Sequence, residues 1–379
     1  MRWPRFIPPV GDPIGPRLRG RSSDFDWTFG GRYRPIFVDS GTTALRLAIS
    51  AARLVTGRDG PSWVPAYGCP DILSACLAAG AEPMLYEVQE DRPFFQAGQL
   101  PPANLTSAIA AHFVGYPHPP DDLKVAVSGT GAVLIEDSAQ RFPSADTRLF
   151  GDCVVLSFGR GKPLSLMEGG CLLANDRLYP HALAAAGQYG PRDAGIRGTV
   201  RRRLHDLALR PEAFALVRRL PGLAIGRVEF RRAPAPMRAG PRLEELATRA
   251  AAAYQAETDW ASRQLSTEAY IARDFPGLQM PFRAGNASGP RLSRIPCLAV
   301  DGPSADKVFA AATRAGIGVT RMYGREQAGI AGVPIRLDGT WTNAATLAAR
   351  LVTFPLLSPA DVEALERDRP HAGTRSSPP

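Results

Sequence analysis

The chain has 379 residues, a length that suits two domains, one of them larger than the other. Its apolar fraction of 45% and charged fraction of 21% are ordinary for a soluble globular protein. No apolar run reaches the roughly 20 residues that a bilayer-spanning helix needs, and the first residues lack the apolar stretch of a secretory signal. We therefore expect a cytoplasmic protein.

The net charge of +9 comes almost wholly from arginine, because only three of the 45 basic residues are lysines, namely Lys124, Lys162 and Lys307. Arginines cluster between Arg192 and Arg242, which predicts a solvated amphipathic helix face or a surface for an anionic ligand. No helix-turn-helix or aromatic-interleaved pattern accompanies them, so we expect no nucleic-acid binding. We favour the solvated face over a peripheral membrane contact.

The cysteines indicate neither a disulfide framework nor a zinc site, because they are odd in number and lack C-x-x-C spacing. They lie in apolar surroundings that favour reduced, buried thiols. The five are Cys69, Cys76, Cys153, Cys171 and Cys297.

The first half of the chain alternates short apolar strands with helical stretches. After an extended N-terminal arm over residues 1–30, PIFVDS predicts a strand and SGTTALRLAISAARLVTG a helix with Ser40 as its N-cap. Further strands are predicted at PSWVPAY, EPMLYEV, SAIAAHFVG, AVLIEDSA and CVVLSFG, with a helix through DILSACLAAG. This alternation predicts an α/β fold, with a mostly parallel sheet and helices on both of its faces.

The second half is organised differently. A long, helical, Arg-rich segment follows Asp176, and we assign its residues 180–240 to a large domain that spans residues 31–240. A smaller C-terminal α+β domain is predicted at residues 241–367, with a strand at RIPCLAV and a helix at SADKVFAAATRAGI. Residues 368–379 have the composition of a disordered tail.

Ligands of open parallel sheets bind at the carboxyl ends of the strands, and three predicted strand ends carry suitable polar residues. The first is Ser40-Gly41-Thr42, where backbone N–H groups at a helix N-terminus and small hydroxyls would suit a phosphate. Helix capping alone also accounts for this sequence.

The second strand end carries Asp137, after AVLIE. A carboxylate at this position would pair with a protonated pyridine nitrogen and keep such a ring an electron sink. Taken alone, the aspartate is better explained as the cap of the following helix.

The third strand end carries Ser157 and, five residues later, Lys162, flanked by glycine-rich turns. A lysine amine forms imines readily when burial or positive charge lowers its pKa. In a chain that otherwise uses arginine, a retained lysine indicates a position where amine chemistry cannot be replaced. The three strand ends together predict a pyridoxal 5'-phosphate (PLP) site with Lys162 as the Schiff-base residue.

With these three motifs, the sequence resembles the DegT/DnrJ/StrS family of PLP-dependent sugar aminotransferases, which have the fold-type-I aminotransferase architecture. Ser40 to Leu45 resembles the family's S-G-T-x-A-L turn, His112 to Pro117 its H-x-y-G-x-P segment, and SFGRGKPLSLMEGG its S-F-H-x-x-K-x-x-x-x-G-E-G-G. The resemblance implies Lys162 and Asp137 as catalytic residues. It also implies a set of cofactor contacts: Ser40, Gly41, Thr42, Cys69, Asp137, Gln140, Ser157 and Lys162.

Three departures from the family pattern stand out. Gly159 replaces the histidine that follows S-F, and Cys69 occupies the position of the aromatic residue that stacks on the cofactor ring, a role for which Tyr67 is an alternative. The N-Y-R-M segment is poorly matched by FRRAPAPMRAG, where Arg231 or Arg232 could supply the missing phosphate contact.

The resemblance implies transfer of an amino group from glutamate to the keto group of a nucleotide-linked sugar, for surface polysaccharide or glycoconjugate biosynthesis, by a homodimer. Two alternatives stay open. One is a catalytically silent or regulatory PLP-fold protein, which the three departures motivate. The other is a PLP-dependent sugar dehydratase, although Lys162 argues against it because such family members carry histidine at that position.

Overall fold

The structure is a computed structural model that describes residues 5–9, 11–18, 24–144, 147–192, 196–219, 229–281 and 289–368. The tail predicted at residues 368–379 lies outside these ranges beyond Asp368. Its helices are α1 (Ile14–Leu18), α2 (Gly41–Thr56), α3 (Pro70–Ala78), α4 (Pro120–Val127), α5 (Tyr179–Ala186), α6 (Ile196–Ala208), α7 (Pro211–Val217), α8 (Pro241–Ala256), α9 (Trp260–Asp274), α10 (Gly302–Arg314), α11 (Thr342–Arg350) and α12 (Pro359–Arg367). Its strands are β1 (Arg34–Val38), β2 (Ser62–Pro65), β3 (Pro83–Tyr86), β4 (Ser107–Ala111), β5 (Val133–Asp137), β6 (Cys153–Ser157), β7 (Gly170–Ala174), β8 (Gly190–Arg192), β9 (Met237–Ala239), β10 (Arg294–Leu298) and β11 (Leu351–Pro355).

Nine of these strands form one sheet in the order β3-β2-β4-β5-β6-β7-β1-β9-β8. The five strands from β3 to β6 in this order are mutually parallel, whereas β7 is antiparallel to both β6 and β1. The predicted α/β architecture with a mostly parallel sheet is therefore confirmed. The short strands β8 and β9 extend one edge of the sheet, in a segment where the sequence predicted only helix.

Helix α2 lies at the centre of the large core because its inner face is made of aliphatic residues at helical spacing. Leu45, Ala48, Ile49 and Ala52 lie at helical spacing and are all buried. Ser40 caps the helix, since its hydroxyl accepts a hydrogen bond from the backbone N–H of Thr43 at 3.1 Å. The small side chains let the helix approach the sheet closely and place its N-terminus at the carboxyl ends of the strands.

Helix α8 covers part of the same sheet, although the small domain was predicted to begin at residue 241. Leu243, Ala247 and Ala251 of this helix pack in one apolar cluster with Trp27 and Phe158. The domain boundaries stay a prediction, but this helix shares its core with the large sheet.

The second unit is built on the antiparallel pair β10–β11, whose residues Ile295, Cys297, Val352 and Phe354 form an apolar cluster with residues of α9, α10 and α12. The predicted N-terminal arm reaches this unit, because Ile7 forms a β-bridge with Ile317. The arm was expected to be extended, yet it contains α1. In the described ranges no helix is both long and apolar enough to cross a membrane.

Candidate active site

The three predicted strand ends meet at one edge of the sheet. Gly170 of β7 is paired on one side with Ser157 of β6 and on the other with Val38 of β1, while Asp137 ends β5 beside β6. A cavity at this edge is lined by seven of the predicted cofactor contacts: Gly41, Thr42, Cys69, Asp137, Gln140, Ser157 and Lys162.

Ser40, the remaining predicted contact, does not line this cavity. Its hydroxyl donates to the Thr43 hydroxyl at 3.0 Å in addition to capping α2. Ser40 therefore acts on the site by holding the first turn of α2 in place.

The first turn of α2 and the ends of two strands are in direct backbone contact. A Cβ on Gly41 would lie 2.5 Å from Cβ and 2.6 Å from Oγ of Ser157, and one on Gly170 would lie 2.5 Å from the carbonyl group of Ser40. Only glycine fits such approaches. The result is a concave surface with free helical N–H groups beside the hydroxyls of Thr42 and Ser157, which suits a phosphate group.

Asp137 is 8% exposed, and its Oδ1 accepts a hydrogen bond from the backbone N–H of Ala139 at 3.0 Å. Burial raises the pKa of this carboxyl group, while that hydrogen bond and the charge of Lys162 oppose the rise. A cation placed in the cavity would stabilise the ionised form. A protonated pyridine ring satisfies this requirement, so Asp137 fits the cofactor that the sequence predicts.

Lys162 lies in the loop after β6, in a turn where its backbone N–H donates to the carbonyl of Gly159 at 3.3 Å. The preceding Gly161 has φ of +74°, a left-handed conformation that glycine adopts without strain. Lys162 lines both the cavity with Asp137 and a neighbouring cavity of about 340 Å³. Lys162 therefore borders both the cavity that fits a cofactor and the neighbouring cavity of about 340 Å³.

Gln140 connects the large sheet with the C-terminal unit. Its Oε1 accepts from the backbone N–H of Val114 at 3.0 Å, and its Nε2 donates to the hydroxyl of Tyr323. Tyr323 packs edge-on against Tyr67 with ring centroids 5.3 Å apart, and both line the cavity. No motif pointed to Tyr323, because its position depends on the folding of a distant segment over the sheet.

Cys69 lines the cavity at the start of α3, where burial raises the pKa of its thiol to about 12. A protonated thiol is a small apolar surface, not a nucleophile. All five cysteines are free and the other four are buried, as predicted.

A buried polar cluster lies behind Asp137. His112 Nε2 donates to Glu136 at 2.9 Å, and His112 Nδ1 accepts from the backbone N–H of His118 at 2.8 Å. His118 is 1% exposed and belongs to the same buried cluster.

Part of the Arg-rich segment is tied to the glycine-rich motif. Glu168, which precedes Gly169-Gly170, lies 3.3 Å from Arg192 and 3.5 Å from Arg202. Arg202 is buried, whereas its neighbours on α6 are exposed, so the interpretation as a solvated face holds for only part of this helix. Arg231 and Arg232, considered for a phosphate contact, are exposed and do not line the cavity.

Comparison with known proteins agrees with this geometry. Residues 27–199 match the model of the DegT/DnrJ/EryC1/StrS aminotransferase family. No curated protein sequence matches the chain.

Solved structures show the same fold over nearly the whole chain. A DegT DnrJ EryC1 StrS aminotransferase from Brucella abortus is 17% identical, with a TM-score of 0.63 over 93% of this chain and 94% of its own. The sugar aminotransferase CalS13 from Micromonospora echinospora is 18% identical, with a TM-score of 0.61 over 96% and 98%. The GDP-4-keto-6-deoxy-D-mannose-3-dehydratase of E. coli, solved with bound hydrated PLP, is 13% identical, with a TM-score of 0.64 over 97% and 99%. The predicted fold-type-I aminotransferase architecture is confirmed.

Proposed function

We propose that this chain is a PLP-dependent aminotransferase that acts on a keto sugar, because residues 27–199 match the model of the DegT/DnrJ/EryC1/StrS aminotransferase family. The observation that carries the proposal is the shared cavity of Lys162, Asp137 and the first turn of α2. These groups provide an amine, a buried carboxylate and a phosphate-sized N–H cradle at one strand edge.

Each of these residues has a defined task in amino transfer. Gly41, Thr42 and Ser157 would hold the phosphate of PLP, Asp137 would pair with the ring nitrogen, and Gln140 would orient the ring. Bound PLP supplies an electron sink for negative charge at the α-carbon of an amino donor. Lys162 Nζ would hold the cofactor covalently, and the amine of the same residue would serve as the base that takes the proton from the donor α-carbon.

Glutamate is the proposed amino donor and a nucleotide-linked keto sugar the proposed acceptor. CalS13, which shares the fold, is a sugar aminotransferase, and the family match supports the same substrate class here. We further propose a cytoplasmic homodimer whose product enters surface polysaccharide or glycoconjugate biosynthesis.

The absorbance of purified protein loaded with PLP tests the cofactor site. We expect a near-ultraviolet to visible band of lysine-bound PLP that borohydride removes, and we expect Lys162→Ala to lack it. Lys124→Ala is the matched control, since Lys124 is exposed on α4 and lines neither cavity beside Lys162.

Addition of glutamate then tests the reaction. Loss of the band together with formation of one 2-oxoglutarate per site is the expected result for an aminotransferase. A stable band with glutamate and with other amino acids would favour a catalytically silent protein, and absence of the band in the unchanged protein would contradict the whole proposal.

A further inference from the structure

The cavity of about 340 Å³ beyond Lys162 is walled by both halves of the molecule. One side of this cavity is formed by apolar side chains of α6, of α7 and of the residues between them, including Leu209 and Phe214. Met322 and Tyr323 form another side. Its size is in the range of small-molecule sites, and Lys162 lines it directly.

One fully charged side chain is buried in the wall of this cavity. Arg294, the first residue of β10, is 5% exposed, and its Nη1 donates to the hydroxyls of Thr320 at 2.7 Å and Thr353 at 3.0 Å. Among the residues that the structure describes, no carboxylate pairs with Arg294, whereas the buried Arg17 contacts both Asp12 and Glu257. Burial lowers the pKa of Arg294 to about 10, so it stays charged near neutral pH.

A buried cation without a counter-ion costs free energy, and two neutral hydroxyls do not offset that cost. The hydroxyls do not need the arginine either, because Thr320 Oγ1 and Thr353 Oγ1 lie 2.8 Å apart and bond to each other. Stability alone therefore gives no reason for a charge at this position. A ligand that supplies the missing negative charge would explain why an arginine is buried here.

We propose that Arg294 binds a carboxylate group of the amino donor, at the position beside Lys162 where the donor amine must arrive. The inference rests on the proposed amino transfer, in which an amino acid and its keto acid occupy this cavity in turn. The planar guanidinium donates two parallel hydrogen bonds to a carboxylate, which would fix the α-carbon relative to Lys162.

A carboxylate suits the site better than the diphosphate of a nucleotide. The buried part of the wall contributes a single positive charge, which matches one negative charge and not two or three. Arg160 also lines this cavity, but its side chain is exposed. Arg160 would therefore contact a longer or more highly charged group near the solvent, outside the buried part of the wall.

Binding of glutarate, a dicarboxylate without an amine, tests the proposal by calorimetry on protein with and without PLP. We expect Arg294→Gln to weaken glutarate binding roughly 10- to 100-fold, the usual range for a charge-assisted hydrogen-bonded pair, and Arg294→Lys to weaken it less. Arg350→Gln is the control, since that arginine bonds to a backbone carbonyl at 2.8 Å outside the cavity. Without ligand, Arg294→Gln should unfold at the same or a higher urea concentration than the unchanged protein.

The outcomes separate this inference from the proposed function. Arg294-dependent glutarate binding in either form of the protein supports the inference even if no lysine-bound PLP forms. Glutarate binding that is unchanged in Arg294→Gln, or a markedly less stable Arg294→Gln protein, overturns it while leaving amino transfer intact. Arg294-dependent binding of phosphate or UDP, with none of glutarate, also overturns it and assigns the arginine to the acceptor nucleotide.

Discussion

At the scale of single residues, the neutral histidines behind the site are held by burial and by fixed hydrogen bonds. His118 Nε2 accepts from the backbone N–H of Phe95 at 3.0 Å, and its Nδ1 donates to the carbonyl of Pro119 at 2.7 Å. Burial, together with nearby His112, lowers the pKa of His118 to about 3. Burial lowers the pKa of His112 as well, against the opposing effect of Glu136.

These shifts predict a loss of stability in acid. The unfolded histidine takes up a proton near its ordinary pKa of 6.5 while the folded one does not, so the free energy of unfolding falls as pH drops below 6.5. We expect His118→Gln to reduce the difference in unfolding free energy between pH 7 and pH 5 by about 2 kcal/mol. Urea unfolding at both pH values measures it.

His181→Gln provides the control, because His181 is only partly buried, in α5. We expect its pH dependence to equal that of the unchanged protein. If the stability of His118→Gln depended on pH as that of the unchanged protein does, His118 would have to be protonated in the folded state or accessible to water.

At the scale of elements, the site depends on how closely α2 and β7 approach. The backbone of Ser40 forms a bridge with Gly169, and the N–H of Gly169 donates to the carbonyl of Asp39 at 2.8 Å. Gly169 has φ of +97°, so the turn before β7 requires glycine for its conformation, whereas Gly170 requires it for space. The Glu-Gly-Gly motif thus positions the helix start that we propose as the phosphate site.

Replacement of Gly170 by alanine tests this dependence. The added Cβ would lie 2.5 Å from backbone atoms of Ser40, which cannot move without displacing the first turn of α2. We expect a loss of about 2 kcal/mol in unfolding free energy, typical of an overpacked core, and weaker PLP binding in a titration followed by absorbance.

Gly190→Ala is the matched control, because a Cβ on this strand glycine would meet no atom within 4 Å. Its PLP affinity should not change. If Gly170→Ala bound PLP as tightly as the unchanged protein, the helix start would not be the phosphate site.

At the scale of the whole molecule, an ionic cluster joins the N-terminal arm, α8 and the chain before β10. Arg17 is 7% exposed and contacts Glu257 at 2.6 Å and Asp12 at 3.0 Å, and Arg291 contacts the same glutamate. The guanidinium groups of both arginines lie over the ring of Tyr254. These contacts hold the arm, which also lines the cavity beyond Lys162 through Pro9.

We expect Glu257→Gln to lower the free energy of unfolding by about 2 kcal/mol, because the buried Arg17 and the partly buried Arg291 lose their shared counter-ion. Chemical denaturation measures the change, and release of the arm should also increase proteolysis near the N-terminus. Glu245→Gln, which removes an exposed partner of Arg249, should cost less than about 0.5 kcal/mol. Equal effects of the two substitutions would show that the cluster contributes no more than a surface ion pair.

Local patterns predicted the features that depend on neighbouring residues. The cap at Ser40, the buried stripe of α2 and the order of the strand ends follow from short-range spacing, because capping and amphipathic periodicity act within one or two turns. The rule that parallel strands share one carboxyl edge then brought Asp137, Ser157 and Lys162 together. The sequence missed β8 and β9, because such short strands depend on the sheet edge that they join.

The sequence by itself determined the fold class and most of the proposed cofactor site, because glycine, lysine and aspartate were needed at strand ends for local chemical reasons. Only the tertiary structure decided that Ser40 lies outside the lining of the cavity, that His118 is buried, and that Tyr323 and Arg294 line a cavity that Lys162 also lines. These depend on how a distant segment packs against the sheet, and a charge without a partner becomes visible only when its surroundings are known.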